Sequence, residues 1–312
     1  MKQRIKQRLR EQRKRRGLVR TNAQKPLSKL ASQQRVIFRS FAEIDRGLSV
    51  LIENVKKITE TTTPEQALGF AKMQTAFAIR LRAITSQMKG SRFRTQFTRA
   101  AVAAFRQGNH NIMNSLGQPS FVYNDLAAGR KDDIVGRRDS ALLALQRDLH
   151  NTRAYRKIYS PNQSARANNS LVNLSGFPKF LSSESTKLVV RNFRVPFVKA
   201  DPNLLYFALF NLTINSGKSI QSVASRPWPI RITSERKAGQ VHISVEDNGR
   251  GFDVKDLPSF FKGRSGFAES GQDGSGSGLV LVRHAVHLMG GKLIAYSAGP
   301  GKGARFTIVL PE

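Results

Sequence analysis

Cysteine is absent from this 312-residue chain. Its absence excludes disulfide staples, thiolate nucleophiles and Cys-based metal sites together. Acidic residues are scarce: 21 Asp and Glu stand against 52 Lys and Arg, a formal net charge of +31. Such an excess favours anionic partners and says nothing of fold. Long apolar runs are missing as well. No stretch approaches ~18 uninterrupted apolar residues, so no membrane span is expected. No charged-then-apolar leader is visible, and the expected location is cytoplasmic. No internal repeat and no aromatic-plus-basic RNA-binding pattern appears. Histidine is limited to His110, His150, His242, His284 and His287.

What is present concentrates toward the C-terminus. Asn211-Leu212-Thr213-Ile214-Asn215 is followed by Asp247-Asn248-Gly249-Arg250-Gly251 and then by Gly274-Ser275-Gly276-Ser277-Gly278. After Gly278, the residues Leu279, Val282, Val286 and Met289 recur at helical steps. A Gly-rich run feeding a helix N-terminus leaves N–H groups aimed at an anion. Taken alone, Gly274, Gly276 and Gly278 with Leu279 read more readily as a plain loop and helix start. Val241–Glu246 alternates as a half-buried strand and delivers Asp247 to its end, where a carboxylate can accept from an adenine amino group. Gly249 and Gly251 would leave room for the ring. Residues 204–219 read as a helix with Asn211 and Asn215 on one face. Asn215 offers an oxygen suited to Mg²⁺, and Lys218 a charge for phosphate.

In this order the three boxes resemble the ATP-binding domain of sensor histidine kinases, kin to the gyrase and MutL ATPases. Residues from about 170 to 312 carry the likeness. Asn211–Lys218 is similar to the N box, Asp247–Gly251 to the first glycine box, Phe260-Phe261 to the phenylalanine box and Gly274–Gly278 to the second glycine box. Gly301–Pro311 is similar to the closing glycine turn and last strand. The resemblance implies a sandwich of mixed sheet and helices, with ATP and Mg²⁺ as cofactors and a lid, placed at about 259–277. The gyrase-like ATPases carry a general-base glutamate where this chain has Asn211, which cannot take a proton from water. A nucleophile from elsewhere is then required.

His242, His284 and His287 lie in the strand and helix just described, which leaves His110 and His150. Helical spacing groups Phe105, Ile112, Leu116 and Tyr123 on one stripe and puts His110 on the opposite face with Asn114. Residues 110–116, His-Asn-Ile-Met-Asn-Ser-Leu, resemble the family's H box. The distance in sequence from His110 to Asn215 leaves room for a helical hairpin and a strand; from His150 it does not. The resemblance makes His110 the phosphoacceptor. Asn111 stands where the family has an acid and keeps only the capacity to accept a hydrogen bond. Asn114 holds the position associated with dephosphorylating a partner. Ser115 replaces the usual proline, and Pro119 should kink the helix.

Four segments are expected: a basic tail over 1–34, a helical regulatory or dimer-extending segment over 35–94, a dimerisation and phosphotransfer hairpin over 95–160, and the ATP-binding domain over 170–312. The fold class is α+β, with N-terminal helices and a helical hairpin ahead of an α/β sandwich. Residues 1–20 hold ten Lys or Arg and one acid, Glu11, a tail suited to nucleic acid or anionic lipid. Helices are predicted over 35–60 and 64–88, with Pro64 in a first turn. Helices over 95–127 and 133–159 would form the hairpin, and apolar stripes too wide for a lone hairpin predict a homodimer. The implied function is an ATP-dependent protein-histidine autokinase that passes its phosphoryl group to a response-regulator aspartate. The rival readings are a non-catalytic nucleotide-binding scaffold and a basic nucleic-acid-associated module regulated by ATP.

Overall fold

The computed structural model describes residues 35–89, 108–130, 132–160, 169–175, 189–223, 230–261 and 278–312. The basic tail, residues 95–107, Gly274, Gly276 and most of the segment expected to be a lid lie outside the described residues.

The N-terminal part is helical. Helix α1 covers 35–56 and α2 covers Pro64–Lys89. Their junction is specified locally. Thr63 Oγ1 accepts from Gln66 N, and Gln66 Oε1 accepts from Thr63 N (3.0 Å), a reciprocal cap. Helix α3 covers 108–115 and α4 covers Gly117–Ala127, with a turn at Leu116. Pro119 accounts for this break. It has no N–H to give the carbonyl four residues back, at Ser115, and its ring crowds that carbonyl. The next carbonyl, Leu116 O, accepts from Ser120 Oγ (3.0 Å) and from Gln74 Nε2 of α2.

Helix α5 spans Ile134–Ile158. Its buried Ile134, Ala141 and Leu145 meet Ile112, Leu116, Val122 and Tyr123 of the first hairpin strand of helices in one continuous core. Phe41 of α1 stacks on Tyr155 with centroids 5.3 Å apart. Asp45 receives Arg153 and Arg156, each at 3.0 Å.

The C-terminal part is a layer of sheet against a layer of helix. Strands β1 (Ser170–Asn173) and β3 (Phe197–Ala200) form an antiparallel pair, with β2 (Val189–Phe193) between them in sequence. Helix α6 is Pro202–Gln221; β4 is Ile230–Lys237 and β5 Gln240–Asp247. A short helix α7 (Leu257–Phe260), helix α8 (Gly278–Leu288), β6 (Lys292–Tyr296) and β7 (Ala304–Pro311) complete the chain. The larger sheet runs β2-β4-β5-β7-β6, parallel only between β2 and β4. In β5 the two-residue period buries Val241, Ile243, Val245 and Asp247 in turn. The same alternation that builds the core therefore carries the Asp247 carboxylate inward. Helices α6 and α8 cover the sheet with Leu205, Leu209, Leu212, Val282, Ala285 and Val286.

Helix α6 also docks on α5, and the two run antiparallel. Arg147 lies over the Phe210 ring (5.9 Å), His150 meets Tyr206 edge-on (5.1 Å), and Tyr155 meets Phe207 (5.1 Å). Lys157 pairs with Asp201, whose carboxylate is fully buried and caps α6 by accepting from Asn203 N and Leu204 N.

Candidate functional site

Three elements converge at the C-terminal end of α6. Asn211 and Asn215 sit one turn apart, and both face the first residue of α8. A Cβ built on Gly278 would lie 3.8 Å from Asn211 Oδ1 and 4.0 Å from Asn215 Nδ2. The start of α8 thus opens directly on the asparagine pair, where its unpaired N–H groups and dipole favour an anion. Asn211 gives one amide proton to its own helix, Nδ2 to Phe207 O at 2.8 Å, and keeps its oxygen toward Gly278. Lys218 is exposed on the last turn of α6, and Leu279 is half-buried in the first turn of α8.

Asp247 lies further along the same side of α6, against Ser219. Burial pushes its carboxyl above the ordinary Asp range, while hydrogen bonds from Gly249 N–H and Ser219 pull the other way. Asp247 Oδ1 accepts from Gly249 N (2.9 Å) and Ser219 Oγ (3.3 Å). Beside it, Asn248 Oδ1 is buried without a hydrogen-bond partner in the protein. A buried carboxylate and an orphaned amide oxygen at one strand end are acceptors suited to an amino-bearing base. The N-terminus of α8, beside Asn211 and Asn215 at the other end, suits its phosphates. On these observations the residues fit an adenine nucleotide.

The glycines act differently from the expectation that they make room for a ring. A Cβ on Gly249 would strike Ser219, and one on Gly303 would strike the backbone of Asp247 and Asn248. Gly251 has φ +60°, and a Cβ there would lie 2.9 Å from Gly303 O. The space is filled by protein backbone. Gly303 N donates to Gly249 O (3.1 Å) and Gly301 N to Arg250 O (2.6 Å). Ser297 Oγ donates to Gly303 O (2.7 Å) and accepts from Phe252 N (3.2 Å). The closing turn is therefore knotted to the Asp247 loop. Phe260 packs edge-on against Phe252 at 5.2 Å, and Arg283 of α8 lies over Phe261 at 5.3 Å.

The histidines separate cleanly. Asn109 and Ile112 are buried, which turns His110 and Asn114 outward, both exposed. Asn109 Nδ2 donates to Thr85 Oγ1 of α2 (2.7 Å) and fixes the rotation of α3. Asn114 Nδ2 lies 3.3 Å from His110 Nδ1. Asn111, half-buried, lines a small crevice with Asp148, Asn151 and Thr152 of α5. His150 is held between α5 and α6, its Nδ1 2.9 Å from Asn203 Oδ1. Burial lowers the basicity of His150, partly offset by that bond and reinforced by Arg153. His242 is half-buried in β5; His284 and His287 lie on α8, where burial lowers His284.

Sequence reasoning passed over Ser219, Ser297 and the orphaned Asn248. Ser219 was findable, since it continues the four-residue steps of Asn211 and Asn215. Ser297 carried no local signal.

Residues 200–312 match the family described as histidine kinase-, DNA gyrase B- and HSP90-like ATPase. The sensor histidine kinase ZraS of Klebsiella oxytoca is 35% identical over 114 residues, 36% of this chain and 23% of ZraS. The signal transduction histidine-protein kinase AtoS of Escherichia coli is 35% identical over 115 residues, 36% of this chain and 18% of AtoS. The chain thus spans less than a quarter of the length of these relatives. Among solved structures, the Acinetobacter baumannii histidine kinase AdeS aligns with 64% of this chain and 94% of its own at 18% identity and a TM-score of 0.39. No helix among the described residues is long and apolar enough to cross a membrane. Residues 200–312 thus match the histidine kinase-, DNA gyrase B- and HSP90-like ATPase family, and over about a third of its length the chain is similar to sensor histidine kinases.

Proposed function

We propose that this chain is an ATP-dependent protein-histidine autokinase that phosphorylates His110 and hands the phosphoryl group to an aspartate of a response-regulator receiver domain. One observation carries the reading: a single chain bears an exposed imidazole with an amide at its Nδ1 and a cleft whose two ends suit an adenine base and its phosphates. The position before Asn215 that would need a carboxylate to activate water is Asn211, so a protein nucleophile takes the phosphoryl group instead.

ATP is the substrate. Asp247 accepts from the adenine amino group, while the N-terminus of α8 and Lys218 face the phosphates. Asn215 would offer a hard oxygen to Mg²⁺, an ion that prefers to share its shell with phosphate oxygens and water. His110 Nε2 attacks the γ-phosphorus in line, an N–P bond forms, and the bond to the ADP oxygen breaks. Asn114 is the ring's positioning residue. With its Oδ1 turned inward it accepts from Nδ1–H and leaves the Nε2 lone pair outward. The work is positioning and charge neutralisation. The same exposed Asn114 supports a response-regulator phosphatase activity.

Exposed apolar side chains on the helical part support a homodimeric bundle: Ile79 is 62% exposed, Phe121 64% and Val135 39%. The test is incubation with γ-labelled ATP and Mg²⁺. Acid-labile, alkali-stable label that vanishes in His110→Ala supports the autokinase. Label that survives in His110→Ala moves the acceptor elsewhere, and a wild type that binds ATP yet takes no label favours the scaffold reading.

A further inference from the structure

We propose that Ser219 is the positioning residue that sets base selectivity in the nucleotide cleft; this rests on reading the cleft as an ATP site. Three observations place it there. Ser219 extends the row Asn211, Asn215 by one more four-residue step, so one face of α6 runs from the start of α8 to Asp247. Its hydroxyl sits in a relay: it accepts from Arg250 N (3.1 Å) and lies 3.3 Å from Asp247 Oδ1, to which it donates. Its backbone and hydroxyl fill the space beside Gly249 that a Cβ would need.

The physical consequence follows from the donors. A carboxylate free to rotate presents either oxygen at any angle. Asp247 Oδ1 accepts from both Gly249 N–H and Ser219 O–H, and two donors on one oxygen restrict rotation of the group. A fixed carboxylate accepts from the amino group of adenine along one direction. It meets the carbonyl of guanine at the same edge as a repulsion between two acceptors. Discrimination of this kind depends on the acceptor being unable to turn away. Ser219 also ties the loop to α6, because Arg250 N reaches both its hydroxyl and its carbonyl oxygen (3.3 Å). Base recognition and phosphate recognition are thereby mounted on one helix, and the distance between them is fixed by its pitch.

The experiment measures dissociation constants for ATP and GTP by displacement of a fluorescent nucleotide from the full chain. It compares wild type, Ser219→Ala, Asp247→Asn and the double variant, with thermal unfolding of each. In Ser219→Ala the ATP affinity should fall about tenfold, the loss of one hydrogen bond to a charged group. GTP affinity should hold or rise, so that the ATP/GTP ratio collapses. In the Asp247→Asn background the serine substitution should have little further effect, because it acts through the carboxylate. Equal weakening of ATP and GTP, or the same loss with Asp247 already replaced, marks a merely structural serine and overturns the proposal. An unchanged ratio overturns it as well. A wild type that binds neither nucleotide removes the ATP-site reading itself, and the proposal with it.

Discussion

His110 Nδ1 lies 3.3 Å from the side-chain nitrogen of Asn114, one helical turn further on, and both side chains stand exposed on α3. The pairing places an amide beside one ring nitrogen. An amide orients without taking a proton. Asn114→Ala should therefore lower the initial rate of self-labelling about tenfold, as expected for loss of an orienting bond, without changing ATP affinity. A matching loss of ATP affinity would show that Asn114 acts elsewhere.

Asn111→Asp should raise the rate of autophosphorylation by supplying a carboxylate beside the imidazole. It should also cost about 1 kcal/mol of stability at neutral pH. The new charge enters the crevice occupied by Asp148, whose carboxyl burial already pushes above the usual range. Rate and urea midpoint measured on the same preparation test both halves; an unchanged or lower rate contradicts the first.

Asp247→Asn should separate stability from binding. The folded protein holds this carboxyl above its ordinary value, so its ionised form is a burden at every pH above the unfolded value. Removing the charge while keeping the acceptor for Gly249 N should leave the melting temperature at pH 7 equal or higher. ATP affinity should fall about tenfold or more. A lower melting temperature with intact ATP binding would reverse both assignments.

The α5–α6 junction should weaken in acid. His150 titrates below its ordinary value in the folded chain because burial opposes its charge. The unfolded chain then binds the proton first as pH falls through about 6.5, and stability declines from there until the folded group also protonates. His150→Gln should flatten the fall of melting temperature below about pH 6.5. Part of the slope will remain, because His284 is lowered in the same direction. A slope identical to wild type would remove His150 from the account.

Lys157→Met should destabilise the chain by about 3 kcal/mol. It leaves Asp201 buried, without its lysine, at the cap of the helix that carries the cleft. Denaturant unfolding followed by circular dichroism measures this; a change under about 1 kcal/mol would show Asp201 satisfied by its other contacts.

Much of this was legible in the chain. The alternation of Val241 to Glu246 gives both the strand and the inward phase of Asp247, because a side-chain period of two has only two phases. The pair Asn211 and Asn215, and the stripe of Ile112, Leu116 and Tyr123 opposite His110, follow from the helical repeat. Pro119 announces a break, but its place at Leu116 depends on which carbonyl loses its donor. The tertiary uses were not legible. Whether Gly249 yields space to a ligand or to Ser219 depends on a backbone thirty residues away. That Ser297 ties Gly303 to Phe252 requires two loops to meet, and no local spacing encodes that.

The function proposed for this chain requires the imidazole of residue 110 to receive the terminal phosphate of ATP. The most direct measurement is mass spectrometry, under non-acidic conditions, of the chain digested after incubation with ATP and Mg²⁺. The expected result is a phosphorylated peptide whose fragments carry the added phosphate on His110; phosphate found on His150, His284 or a hydroxyl residue, with His110 unmodified, would overturn the assignment.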